Sequence, residues 1–249
     1  SVDSLFDFAW LFLKEHSKML EPSTIQTYEG FIRKLAGYKE KLTLAEFNDY
    51  DFIKGFEGYL LYDLKNSRNT VNKSMDFWQT VIKEAKKKGL VQKNAFDDYT
   101  KLQAPPPKRV FLEKHELEKL WELRKSDKLK PYQAKVLDYF LFACYSGLRF
   151  SDIRKLKYKH FTTQKIPYYD TFRDALIISI QPQKTRKSSG KSMDLPVHDR
   201  AKEIAGTGSP EQHVFHTNVS QVNNRYLKEI AEIAGIEKKI TFMISRHTF

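Results

Sequence analysis

Residues 145–152 read Tyr145-Ser146-Gly147-Leu148-Arg149-Phe150-Ser151-Asp152. Upstream, Pro131–Tyr145 sets Val136, Leu137, Phe140, Leu141 and Cys144 on one stripe at helical spacing. Gly147 is placed to end that helix. Ser151 and Asp152 are residue types that start another, expected over Asp152–Tyr158. A glycine break between two helices puts Arg149 beside free backbone N–H groups and a positive dipole end, a setting that suits an anion. Taken alone, an arginine in such a place is as readily a solvated surface cation.

Downstream the period changes. Ala175-Leu176-Ile177-Ile178-Ser179-Ile180 is short, apolar and β-branched, the pattern of a strand, and Lys191–Leu195 is read as its returning partner. Between them Gln183-Lys184-Thr185-Arg186-Lys187 is expected at a hairpin tip. A lysine there, with its pKa lowered by neighbouring cations, can hand a proton to a leaving oxygen, although a solvated basic loop reads the same way. Helices are expected around His198–Ala205 and Val219–Ala234. Ile244–Phe249 opens a further one, carrying Arg246 for bidentate anion contact.

The first hundred residues read as four amphipathic helices. One follows Asp3 and Ser4, one starts at Pro22 and Ser23, one holds Phe52 to Leu60, and one runs from Asn66 and Ser67 to Lys86-Lys87-Lys88-Gly89. The lysine run complements a helix C-terminus, with DNA contact as the sharper reading. Pro105-Pro106-Pro107 cannot continue a helix and favours an extended spacer. The expected organisation is a helical bundle over residues 1–104, a proline-rich linker over 105–110, and a mixed domain over 111–249 of helices with a small antiparallel sheet. Two domains on a short linker can close around a rod-like ligand.

Charge separates the halves. Of 43 basic and 31 acidic residues, 16 and 15 fall in residues 1–104, against 27 and 16 in residues 105–249. A basic excess on one domain is the footprint of a phosphate-backbone binder, or of a basic solubilising surface. The single cysteine, Cys144, excludes an internal disulfide framework and fits a reducing compartment. No apolar run is long enough for a bilayer, and no zinc-spaced Cys/His cluster occurs. A cytoplasmic, nucleoid-associated protein without membrane association is expected.

Three segments in this order resemble the signatures of tyrosine recombinases of the phage-integrase kind. These are Gly147-Leu148-Arg149-Phe150-Ser151-Asp152, the hairpin Gln183-Lys184-Thr185, and Ser245-Arg246-His247-Thr248-Phe249. Asn69-Thr70-Val71, Asn94-Ala95-Phe96 and Phe111-Leu112-Glu113 resemble the same family, nearest to integrases of Bacteroidetes-type mobile elements. The resemblance spans nearly the whole chain. It implies DNA integration or excision by transesterification through a 3′-phosphotyrosyl intermediate, without metal or nucleotide cofactor, by a homo-tetramer on double-stranded DNA. It also implies that Arg149 and Arg246 clamp the scissile phosphate, that Lys184 is the general acid, and that Asp152 orients the first arginine.

Two departures qualify it. Where the family has histidine three residues before the second arginine, this chain has Met243, which neither exchanges protons nor bonds a phosphate oxygen strongly. The side chain is dispensable, or the position was substituted, or catalysis is impaired. His247 is expected to pack within its helix instead. None of the 13 tyrosines follows Arg246, so none matches the nucleophile, and Tyr145, Tyr158 and Tyr226 are read as core or surface residues. The chain is therefore expected to be a fragment that binds DNA without cutting it. A non-enzymatic DNA binder on the same scaffold and a helical protein-interaction module with an incidental basic face stay open as alternatives.

Overall fold

The computed structural model describes residues 4–106, 108–182 and 192–249, which form two compact units, Ser1–Pro107 and Lys108–Phe249. The division falls within the proline-rich segment. Among the described residues no helix is long and apolar enough to cross a membrane.

The first unit is built on α1 (Leu5–His16), α2 (Pro22–Tyr38), α3 (Leu44–Phe47), α4 (Tyr50–Gly58) and α5 (Arg68–Lys87). Their starts follow capping chemistry: the Ser4 hydroxyl accepts from the Asp7 amide, and Ser67 accepts from Thr70. Helix α5 ends on Lys86 and Lys87, and Gly89 then takes a positive φ of 74°. Leu5, Phe47, Phe56 and Trp78, all fully buried, anchor the core. Two features go beyond the four expected helices. Thr43 and Glu46 cap one another around the single turn α3, and α4 continues into a π-helical segment, Tyr59–Asp63.

In the second unit α7 (Pro131–Ser146) is the central helix, buried along its whole second half. Helices α6 (Lys114–Arg124), α9 (Asp199–Ala205) and α10 (Ser220–Ile233) pack around it. Arg200 fastens α9 to α6 by two bonds to the Glu118 carboxylate, at 2.7 and 2.8 Å. The antiparallel sheet has the order β1 (Phe161–Tyr168), β2 (Thr171–Ile180), β3 (Met193–Pro196), and Ile178 and Ile180 reach the core.

The observed elements correct the sequence reading in three places. Strand β2 begins at Thr171 rather than Ala175, because an unexpected β1 pairs with its polar half, from Tyr168 opposite Thr171 to Phe161 opposite Ile178. Pro167 disguised β1, yet proline is tolerated on an edge strand. The helix expected over Asp152–Tyr158 is instead the single turn α8 (Phe150–Ile153), followed by a 3-10 turn at Tyr158–His160. The Lys157 amide donates to His160 Nδ1, and Leu156 accepts from the Val214 amide, so one local side-chain bond and one tertiary bond take the groups a longer helix would use. Ser151 and Asp152, read as helix starters, lie inside α8, whose N-cap is Arg149.

Candidate active site

Gly147 closes α7 in the left-handed region (φ 66°), with its amide bonded to Ala143 O at 3.0 Å. That turn sends Leu148 into the core and leaves Arg149 extended at the start of α8. The Arg149 carbonyl accepts from Asp152 and Ile153 at 2.9 and 3.0 Å, which fixes its backbone. The second arginine arrives on α11 (Ser245–Thr248), preceded by a 3-10 turn at Phe242–Ile244. Asn224 of α10 accepts from the Phe242 amide at 2.9 Å, and the buried Ser245 hydroxyl donates to Phe242 O at 2.8 Å. Thr248 Oγ1 accepts from the Leu112 amide at 3.0 Å, so the opening of this unit also holds α11.

An aromatic cluster joins the two ends. Phe150, next to Arg149, lies 4.7 Å from Phe242 between ring centroids, and Phe242 lies 5.8 Å from Tyr139 and 5.7 Å from Phe140. The result is one pocket of about 380 Å³ lined by Arg149, Ser151, Ser220, Met243 and Arg246 among others. Neither guanidinium has a hydrogen bond or an acidic partner among the described residues. By contrast, Arg124 is paired with Asp138 and Glu203, and Arg200 with Glu118. Two unneutralised cations converging on one cavity suit a single anion, and planar guanidinium favours phosphate oxygens.

Of the residues singled out in sequence, Arg149, Met243 and Arg246 meet in this pocket. Met243 is 73% exposed, with its thioether where a proton-exchanging group was expected. Asp152 is buried and lines a neighbouring pocket. Lys184 lies outside the described residues. His247 is exposed rather than packed, against expectation. The hydroxyls of Ser151 and Ser220 line the pocket with no hydrogen bond to a described residue, and nothing in the sequence spacing had marked Ser220.

Nearby groups are unsuited to nucleophilic attack. Burial pushes the Tyr139 phenol up to about 12, and its hydroxyl donates to the buried Asn223 Oδ1. Burial also raises Tyr145, which accepts a bond from Arg200, and the Cys144 thiol.

The sequence model described as the phage integrase SAM-like domain matches residues 4–102. The Tn1549 transposon integrase in complex with transposon right-end DNA superposes with a TM-score of 0.72 at 15% identity, covering 99% of this chain and 85% of that one. The chain has the integrase fold. A lambda integrase dimer bound to a COC′ core site matches this integrase-fold chain with a TM-score of 0.69 at 15% identity, covering 98% and 88%. A lambda integrase tetramer bound to a Holliday junction gives 0.68 at 15% identity, covering 98% and 71%. No curated protein matches the sequence.

Proposed function

We propose that the chain is the DNA-binding and catalytic part of a tyrosine-type site-specific DNA recombinase that integrates or excises a mobile element. The observation that carries this reading is that Arg149 and Arg246, which have no hydrogen-bonding or acidic partner among the described residues, line one pocket of an integrase fold. The SAM-like domain at residues 4–102 and the DNA held by the similar integrases support it.

In this reading both guanidiniums grip non-bridging oxygens of the scissile phosphate and stabilise the charge added as a tyrosine oxygen attacks phosphorus. The bond to the 5′ oxygen breaks as the bond to tyrosine forms, and Lys184 supplies the proton that the leaving oxygen takes up. The energy of the broken phosphodiester is kept in the phosphotyrosyl link, so rejoining needs no nucleotide. Asp152 supports α8 and with it Arg149. In this reading residues 1–249 hold duplex DNA through Arg149 and Arg246, and the attacking tyrosine is left unassigned. The lambda integrase tetramer on a Holliday junction supports a homo-tetramer on DNA as the working assembly.

A duplex nicked beside the cleavage position tests the reading, because it traps covalent product. Residues 1–249 are expected to bind it, and a form that carries the attacking tyrosine is expected to give a covalent adduct. Binding without an adduct in both would favour a non-enzymatic DNA binder. Binding to no duplex would favour a protein-interaction module.

A further inference from the structure

A second cavity, of about 340 Å³, is lined by Asp152, Lys155, Lys157, Lys159 and His160 among others. Its frame is rigid. Segment 156–160 is bonded along segment 210–214: the Tyr158 amide donates to Gln212 O at 3.2 Å, the Lys159 amide to Pro210 O at 2.9 Å, and the Val214 amide to Leu156 O at 3.0 Å. His160 accepts the Lys157 amide at Nδ1, which leaves its ring proton on Nε2 as a donor. Burial and the charges of Lys159 and Lys157 lower the His160 pKa and so keep the ring neutral near pH 7.

The charges are unevenly matched. One carboxylate, Glu211, holds both Lys157 and Lys159, each at 2.9 Å, while Lys155 is exposed and has no partner among the described residues. Among the described residues, three ammonium groups stand against the carboxylates of Asp152 and Glu211, a surplus of positive charge that complements a phosphodiester. Arg149, the N-cap of α8, lines the first cavity and Asp152, inside α8, lines the second, so one short helix contributes to both.

We propose that the Lys155, Lys157 and Lys159 cavity is a second DNA-phosphate site, which takes a phosphodiester of the same duplex that Arg149 and Arg246 grip, with Glu211 holding two of its lysines until the strand arrives. The assignment rests on the reading of the chain as a DNA recombinase. Phosphate then competes with Glu211 for Lys157 and Lys159, so the carboxylate weakens DNA binding.

Fluorescence anisotropy with a labelled duplex, at several salt concentrations, tests this on residues 1–249. Lys155→Gln combined with Lys159→Gln is expected to weaken binding about tenfold near 0.15 M salt. It also makes the slope of log affinity against log salt shallower by about one unit, the value for one lost phosphate contact. Glu211→Gln is expected to tighten binding about threefold, a gain that misfolding cannot produce. Wild-type values for either variant overturn the assignment. Displacement of duplex by millimolar inorganic phosphate at constant ionic strength would reassign the cavity to free phosphate and also overturn it. A wild-type chain that binds no duplex overturns the recombinase reading together with this one, whereas binding by wild type with inert variants overturns the cavity assignment alone.

Discussion

Phe150 and Phe242 pack with ring centroids 4.7 Å apart, and this contact joins the segments that carry Arg149 and Arg246, far apart in sequence, at one pocket. The chemistry of the site therefore depends on a core contact one residue from the first arginine and four from the second.

Phe242 is 4% exposed and touches three other aromatic rings, so Phe242→Ala is expected to cost about 3–5 kcal/mol. Phe242→Leu keeps much of the volume and is expected to fold. Its duplex affinity should nevertheless fall, since the ring that spaces the arginines is gone. Denaturant titration and anisotropy on the two variants check both halves of the statement.

Gly147 combines a φ of 66° with the Phe249 ring, whose Cδ1 would lie 2.7 Å from an added Cβ. Gly147→Ala is expected to cost about 2 kcal/mol or more, from left-handed strain plus displacement of that ring. Gly89 has a φ of 74° with open space around it, so Gly89→Ala is expected to cost only about 1 kcal/mol. Equal shifts in the denaturation midpoints of the two variants would contradict the ring contact.

Met243→His puts a titratable donor on the pocket wall beside two arginines. An imidazole with a pKa near the ordinary ~6.5 is charged below that pH and neutral above it. The variant should therefore gain several-fold in duplex affinity over wild type at pH 5.5 and little at pH 8. An identical ratio at both pH values would place residue 243 away from the phosphate.

The start of α6 depends on pH through Glu116 and Lys238, which are paired at 2.7 Å. Burial works to raise the Glu116 pKa, but the Lys238 ammonium and the Glu113 amide outweigh it and hold the carboxyl below its ordinary value. A depressed carboxyl contributes stability above its unfolded value, near 4.3, and loses it as pH falls through the folded value. The drop in Tm from pH 7 to pH 3 is accordingly expected to be about 2–4 °C larger in wild type than in Glu116→Gln. Equal drops would show that the pair contributes nothing.

Local signals in the chain were strong where capping and apolar spacing act alone. Ser4, Pro22 and Ser67 open helices as their chemistry predicts, and Gly147 ends α7. Signals failed where distant segments or side chains take over backbone bonds. Leu156 and Lys157 leave the helical path because Val214 and His160 claim their polar groups, and β1 exists through its pairing with β2. The site shows the same split. Arg149, Arg246 and Met243 were legible as motif positions, while Ser220 and Asn224 reach it only through the packing of α10, which leaves no mark on local sequence.

In the proposed function Arg149 and Arg246 grip one and the same DNA phosphate. The most direct test of this is the salt dependence of duplex binding by residues 1–249 and by Arg149→Ala, Arg246→Ala and the double variant. Each single variant should change the slope by well under one unit, because the remaining guanidinium still neutralises the phosphate, and the double variant should lower it by about one unit. A double variant with the wild-type slope, or one that loses two units, would contradict it.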